Sequence, residues 1–294
     1  MAILIDYSQV VIASCLAFGS DMDKGKDTKK AIDIIRHATL STLLKYKTDY
    51  SAKYGDIILC ADGGKNWRRD YFPYYKASRK GSREKSNTDW NTIFSFASEL
   101  LEELRTIFPY RAIKVDEAEG DDIVAVLTKY LTENDTVQQG LVSDPAPILI
   151  VSSDGDFKQL HKFKNVRQWN PLMKKFVAKP EPDFLLEKVI KGDAGDGVPN
   201  VLSPDNIFTV EGRQKPVTAK VMDRFKAQTG LSDVDQRNFQ RNRTLIDFDY
   251  IPNEVQEKIL SVYHEQQPKR DLNAIMNYLM EHRCRLLLND LQAF

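Results

Sequence analysis

Residues 147–161 read Pro-Ile-Leu-Ile-Val-Ser-Ser-Asp-Gly-Asp-Phe-Lys-Gln-Leu-His. The branched apolar run Ile148 to Val151 is the pattern of a strand buried on both faces, as in a parallel sheet. Ser152, Ser153, Asp154, Gly155 and Asp156 cannot continue a core strand, so the acids fall at its carboxyl end. Open α/β sheets bind their ligands at that end. Asp154 and Asp156 are two apart, so an extended backbone turns both side chains the same way. Two carboxylates aimed at one point repel by about 4 kcal/mol at ~4 Å and an effective dielectric near 20. A divalent cation would offset that. A turn rich in Asp and Gly that caps the next helix would need no cation. The motif alone is equally compatible with both, and the other carboxylates of the chain decide between them.

Working outward toward the N-terminus, two more apolar runs end in acids. Ala2 to Ile5 stops at Asp6, with Ser8 placed to cap a following helix, and Asp56 to Ala61 stops at Asp62 before Gly63 and Gly64. Taken alone, Asp6 reads as a helix cap; three strands that each deliver an acid point to a shared site. Between them, 29–47 has apolar residues at helical spacing. Further on, 89–107 reads as a helix and Arg111 to Val115 as another strand. Glu117-Ala-Glu119-Gly-Asp121-Asp122 then opens an apolar helix, 123–131. Acids suit a helix N-terminus, but four in six residues exceed what the dipole needs. Residues 133–146 read as a polar surface loop.

Residues 65–85 carry eight basic residues against Asp70 and Glu84, interleaved with Trp67, Tyr71, Phe72, Tyr74 and Tyr75. Basic side chains neutralise phosphates and aromatic faces stack on unpaired bases. The whole chain has 42 basic and 42 acidic residues. That balance excludes a globally basic DNA-coating protein and leaves nucleic-acid contact to a local patch. Cys15, Cys60 and Cys284 are far apart and form no CxxC, which points to reduced thiols in a cytoplasm. Four histidines without HxxxH spacing argue against zinc. The run from Val10 to Phe18 is too short to span a bilayer, and no basic segment precedes the first strand as in a signal peptide.

After Asp156, Val166 to Trp169 and Lys175 to Val177 read as short strands around Pro171. Pro180-Glu181-Pro182 marks a boundary. Beyond it the pattern is helical, at 183–190, 216–229, 233–247, 252–264 and 271–282. The fold class is therefore α/β, a mostly parallel central sheet flanked by helices, over 1–180, followed by a helical domain over 181–294. Asp193 and Asp196 could project into one site from a Gly/Asp-rich turn.

In this order, LIDYSQ at 4–9, WRRDYFPYYK at 67–76, SSDGDFKQLHK at 152–162, KGDAGD at 191–196 and LIDFDYIP at 245–252 resemble the flap endonuclease or 5′-nuclease family. The similarity runs nearly end to end with its T-even phage ribonuclease H branch. The resemblance implies a 5′-nuclease (PIN-like) fold and 5′-to-3′ exonuclease and flap endonuclease activity on DNA. It also implies hydrolysis of RNA in RNA–DNA hybrids, for primer removal during replication. It implies two Mg²⁺ ions, with Mn²⁺ as a substitute. Asp6, Asp62, Glu119, Asp121 and Asp122 would hold the first, Asp154 and Asp156 would lie between them, and Asp193 and Asp196 would complete the second. Lys76 and Arg79 match the family's basic pair, at the base of an arch spanning about 65–105. Arg68, Arg69, Tyr75, Lys80 and Arg83 would contact nucleic acid. The implied partners are DNA flaps, nicked or forked duplex and RNA–DNA hybrids, with a single-stranded-DNA-binding protein and a sliding clamp as further replication partners. No membrane is implied, and the resemblance suggests a monomer working in the cytoplasm of an infected bacterium.

The chain departs from the family after Asp196. Gly197 stands where Asn is usual, Asn200-Val-Leu-Ser-Pro replaces a Gly-rich turn, and 203–215 intervene before the next helix. The family's helix–three-turn–helix, which grips duplex backbone, is thus modified. Whether it keeps a monovalent-ion-assisted backbone contact is left open. The chain starts directly at its first strand, so a clamp-docking tail is not expected there. An aspartyl phosphatase needs Asp-x-Asp after its first strand, and Ser8 breaks that. The long basic segment and the helical domain argue against a small RNA-cleaving toxin fold. A non-catalytic binder of branched DNA would lack several metal carboxylates, and none of the matched ones is lost.

Overall fold

The computed structural model describes residues 1–17, 19–139, 142–210 and 212–294, with the side chains of 19, 20, 80, 82, 139 and 142 outside that description. Strand β1 (Ala2–Asp6) leads into helices α1 (Tyr7–Ala17) and α2 (Lys29–Tyr54), then β2 (Asp56–Ala61). Short helices α3 (Trp67–Tyr71) and α4 (Ala77–Lys85) precede α5 (Trp90–Ile107), β3 (Arg111–Lys114) and α6 (Gly120–Asn134). Next come β4 (Thr136–Gln139), β5 (Val142–Pro145), β6 (Ile148–Val151), β7 (Val166–Asn170) and β8 (Lys175–Phe176). Helices α7 (Phe184–Lys191), α8 (Ala219–Lys226), α9 (Asp233–Ile246), α10 (Asn253–Glu265) and α11 (Leu272–Glu281) follow, and a 3-10 segment, Arg285–Ala293, comes after them.

These elements form two compact units. The first joins Met1–Gly64, Ser86–Val177 and Glu254–Phe294. Its six-stranded sheet has the order β3-β2-β1-β6-β7-β8, parallel except for β8. Alternation along β1 divides its side chains between two faces. Ile3 and Ile5 join a core with Leu40, Leu43, Leu100 and Leu104 from α2 and α5. Helix α6 lies against β1, β2, β3 and β6 and buries Ile123, Val124 and Leu127. The order reverses around β1: β2 and β3 lie on one side, β6 and β7 on the other. The crevice at the carboxyl ends of β1 and β6 is thus the sheet's topological switch point.

The second unit joins Lys65–Lys85 to Ala178–Asn253. Its cores are small: Phe72, Tyr75, Val189, Val198, Leu245 and Ile246 form one, and Ile190, Val201, Met222 and Phe225 another.

This grouping by contacts differs from the sequence division at 180. Helix α11 carries Ile275, Tyr278 and Leu279 into the first unit's core, and the C-terminal Phe294 joins them; an apolar face says that a helix packs but not on what. The expected arch over 65–105 is likewise split: α5 buries Ile93, Phe96, Leu100, Leu101 and Leu104 in the first unit, and only 65–85 joins the second. The expected loop at 133–146 contains the antiparallel pair β4–β5. Its strands are mostly polar and leave no hydrophobic trace in the sequence. Ser8 does not cap α1; the helix starts at Tyr7, and Asp6 Oδ1 accepts the Gln9 N–H at 3.1 Å. Among the described residues no helix is long and apolar enough to cross a membrane.

One buried ionic group ties three helices of the first unit together. Arg36 of α2, 4% exposed, pairs with Glu103 of α5 and donates to Tyr278 Oη of α11 at 2.6 Å. The Tyr278 hydroxyl in turn donates to Glu103 at 2.6 Å. Removing one partner leaves a buried charge uncompensated, whereas apolar replacement of the set need not destabilise. Glu103→Ala is expected to lower unfolding free energy by about 3 kcal/mol, with Arg36→Met/Glu103→Leu recovering most of that loss. Urea denaturation of both variants checks it, and equal losses would contradict the account.

Candidate metal centre and nucleic-acid interface

Parallel pairing sets the first-unit site. Asp6 pairs with Cys60 in register and Ile5 with Val151, so Asp62 and Ser152–Asp154 leave the sheet beside the end of β1. Asp6 Oδ2 accepts the Ser152 hydroxyl at 3.0 Å, and the same hydroxyl oxygen accepts the Asp154 N–H at 3.0 Å. Gln9 and Ser153 bond reciprocally, at 2.7 Å from the Gln9 amide to Ser153 Oγ and 2.8 Å from the Ser153 N–H to Gln9 Oε1. Gln168 of β7 donates to the carbonyls of Ser152 and Asp154 at 2.9 and 2.7 Å. Asp154 Oδ1 accepts the Asp156 N–H at 2.8 Å, closing the turn.

Asp62 is held from the other side. Its Oδ1 accepts the Gly120 N–H at the start of α6, at 2.8 Å, where the helix dipole favours a negative group. Gly63 permits this approach: a Cβ there would lie 2.0 Å from the Val115 carbonyl oxygen. Burial pushes the Asp6 carboxyl up to about 6; the Gln9 N–H and Ser152 hydroxyl oppose the rise, and the charges of Asp62 and Asp154 add to it. Asp6, Asp62 and Asp154 thus stand within electrostatic reach of one another, while Glu119 is half-buried at the cap of α6, followed by Asp121 in its first turn.

Asp122, expected as a ligand, is placed as a helix cap. It is completely buried, and its Oδ2 accepts the Glu119 N–H at 3.0 Å in a capping box. Its local role positions Glu119. Among the described residues no three His, Cys, Asp or Glu side chains form a ready-made metal cage. The donors gathered at the switch point are carboxylate and hydroxyl oxygens, which suit a hard divalent cation. A cation would relieve both the desolvation of Asp6 and its repulsion by Asp62 and Asp154, so the residues fit a divalent ion.

Asp193 and Asp196 lie in the second unit, each with cations of that unit. Asp196 accepts from Tyr75 Oη at 2.8 Å and Arg79 Nη2 at 2.7 Å, and lies 3.5 Å from Lys76 Nζ. Lys76 adopts a φ of 53°, a left-handed conformation costly for a side-chain-bearing residue, and its N–H donates to the Asp196 carbonyl at 2.7 Å. Gly197 meets the same segment so closely that a Cβ would lie 2.8 Å from the Tyr74 carbonyl oxygen. Asp193 pairs with Lys188 at 3.1 Å. Burial works to raise its carboxyl pKa, but Lys188 and the N–H groups of Asp196 and Gly195 outweigh it and hold the group below the usual range.

Two expected nucleic-acid contacts are corrected here. Arg68 is 3% exposed, donates to the Leu245 carbonyl at 2.9 Å and lies over the Trp67 ring. Tyr75 is likewise 3% exposed, its ring in the core with Phe72 and Val189, so no base can stack on it. Arg69 and Arg83 are exposed, as are Tyr71 and Tyr74. The Lys80 side chain lies outside the described residues.

A family model for the 5′-3′ exonuclease N-terminal resolvase-like domain matches residues 1–189, and one for the T4 RNase H C-terminal domain matches 179–294. The chain belongs to the 5′-3′ exonuclease family. It is 34% identical to the ribonuclease H of Enterobacteria phage T4 over 99% of its own length and 95% of that protein's. Among solved structures, the zinc-bound 5′-exonuclease of phage T5 aligns at a TM-score of 0.60 and 17% identity, covering 90% of this chain and 99% of that one. The phage T5 flap endonuclease in complex with DNA and metal ions aligns at 0.58 and 18%, covering 90% and 99%. At these identities the T5 structures establish the shared fold, a resolvase-like sheet with a helical C-terminal part.

Sequence reasoning about this exonuclease missed Gln9 and Gln168 as site residues. Gln9 lies inside the LIDYSQ motif, but only strand register puts it beside Ser153. Gln168 is a polar residue at a buried position of β7, a signal that it needs a polar partner. Gln168→Leu would strip the Ser152 and Asp154 carbonyls of their shared donor. It is expected to cost about 1–3 kcal/mol and to speed amide exchange across 153–156. Unchanged exchange there would show that Gln168 does not hold the turn.

Proposed function

We propose that this chain is a Mg²⁺-dependent 5′-nuclease. It would hydrolyse phosphodiesters at DNA flaps and at nicked or forked duplex, and in the RNA strand of RNA–DNA hybrids, removing primers during replication. The observation that carries this reading is the gathering of Asp6, Asp62 and Asp154 at the switch point, with Asp6 desolvated between its two neighbours. Family membership and the phage T4 relative support the nuclease chemistry, and the phage relative supports work in an infected bacterium.

In this proposal Asp6, Asp62, Glu119, Asp121, Asp154 and Asp156 hold the ions. Bound divalent ions supply charge stabilisation and Lewis acidity at a phosphate. The protein's part is to keep these carboxylates in place against their repulsion, through Ser152, Gln9, Gln168 and the N-terminus of α6. Lys76 and Arg79 hold the scissile phosphate, exchanging the Asp196 carboxylate for phosphate oxygens and stabilising developing charge. Exposed Arg69 and Arg83 neutralise phosphates farther along the strand. Asp193 and Asp196 are ligands by resemblance alone, and in their own unit both are already charge-compensated.

Incubating a 5′-labelled flap with and without Mg²⁺ tests the reading on one gel. Cleavage is expected only with the ion, and an uncut flap that still shifts in a binding gel would identify a binder instead. Asp154→Asn is expected to abolish cleavage while flap binding largely persists; wild-type cutting by that variant would remove Asp154 from the metal centre. Arg69→Ala or Arg83→Ala is expected to weaken binding across sequences and to lower the slope of log affinity against log salt by about 1. An unchanged slope would exclude a phosphate contact at that position.

A further inference from the structure

The turn after Asp196 carries its own cation. Its four successive carbonyls, from Val198 to Val201, are all engaged within the second unit. The Val198 carbonyl accepts the Asp193 N–H at 2.8 Å. The Pro199 carbonyl accepts Arg241 Nη2 at 2.9 Å and the Asn242 amide at 2.8 Å. The Asn200 carbonyl accepts the Ser203 N–H at 3.1 Å and Arg241 Nη2 at 3.3 Å. The Val201 carbonyl accepts the Asn238 amide at 2.9 Å.

Arg241 is 4% exposed, and its guanidinium also pairs with Asp205. Asp205 itself comes from the 203–215 segment that precedes the next helix, and it binds Arg237 as well. Burial opposes ionisation of Asp205, but Arg237 and Arg241 hold its carboxyl below the usual range. The same segment returns to fasten the turn. Gln214 Oε1 accepts the Asn200 N–H at 2.6 Å, the Asn200 amide donates to the Lys215 carbonyl at 2.7 Å, and Ser203 Oγ accepts the Lys215 N–H at 3.1 Å.

A monovalent ion binds protein by exchanging its hydration shell for a ring of carbonyl oxygens. Here a fixed positive group already occupies the face of the Pro199 and Asn200 carbonyls. A second cation at those oxygens would face a like charge in contact. The family's monovalent-ion site therefore does not fit this turn. We infer that Arg241, neutralised by Asp205, is a built-in cation that orders the 198–203 turn, so that its backbone meets duplex DNA without a monovalent ion. The ordering concerns the turn alone; the duplex contact rests on the function proposed above.

Hydrogen exchange at the amides of 200–203 in the wild-type chain, compared in potassium and choline chloride at fixed ionic strength, tests the ordering without DNA. Equal protection is expected, and potassium-dependent protection would overturn the inference. Arg241→Met keeps bulk but removes the charge. Its 200–203 amides are expected to exchange faster in choline and to slow when potassium is supplied, and full protection in choline would also overturn it. Arg241→Lys, which keeps the charge but loses the fork, is expected to fall between the two; protection no better than Met would show that charge is not what orders the turn. Affinity for a fluorescent duplex, measured in the same salts, is expected to be equal for the wild type. A tenfold gain in potassium, ~1.4 kcal/mol, would count against the inference. Failure to bind duplex in any salt, with exchange unaffected by potassium, would instead count against the proposed function and leave the built-in cation standing.

Discussion

Repulsion among carboxylates at the ends of buried parallel strands is the constraint on which the first unit depends. Asp6, Asp62 and Asp154 share one edge of the sheet because register puts β1 between β2 and β6. The sheet interior is apolar and cannot solvate them. Dipoles hold them instead: the Ser152 hydroxyl and Gln9 N–H on Asp6, and the Gly120 N–H on Asp62. Dipoles reduce the repulsion without cancelling it, and Asp6 stays harder to ionise than an ordinary carboxyl. A site left in that condition favours an incoming cation, and the stability of the surrounding sheet is what keeps its acids together.

The second unit solves its charge problem in the opposite way. Asp193, Asp196 and Asp205 are each paired with lysine or arginine of the same unit. Small cores such as Phe72, Tyr75 and Val189 give this unit little apolar area, and a polar framework of Asn238, Arg241 and Asn242 fastens its turns. Fully satisfied networks of this kind specify one conformation, because each missing partner would leave a buried group unbonded. A net charge of zero over the whole chain conceals the contrast between an acid-rich edge in one unit and compensated pairs in the other.

Residues with a local signature were legible. Branched runs ending in acids located β1, β2 and β6, and helical periodicity located α5 and α9 to within a few residues. The acids themselves were legible because carboxylates after core strands break the pattern around them. Arg68 and Tyr75 were misread because composition cannot tell a basic or aromatic side chain facing solvent from one folded under its own helix. Asp122 shows a related ambiguity: a cap and a ligand use the same residue type at the same spacing.

The amino-acid sequence by itself determined the α/β class, the family, the strand-end acids and the concentration of positive charge at 65–85, because each depends on residues near one another in the chain. Only the tertiary structure decided that α11 and Phe294 complete the first core, that Gln9 and Gln168 steady the acid turn, and that Arg241 reaches back some forty residues to Pro199 and Asn200. Those contacts join segments far apart in sequence. No local pattern encodes them, since partners for buried charges and carbonyls are chosen by packing.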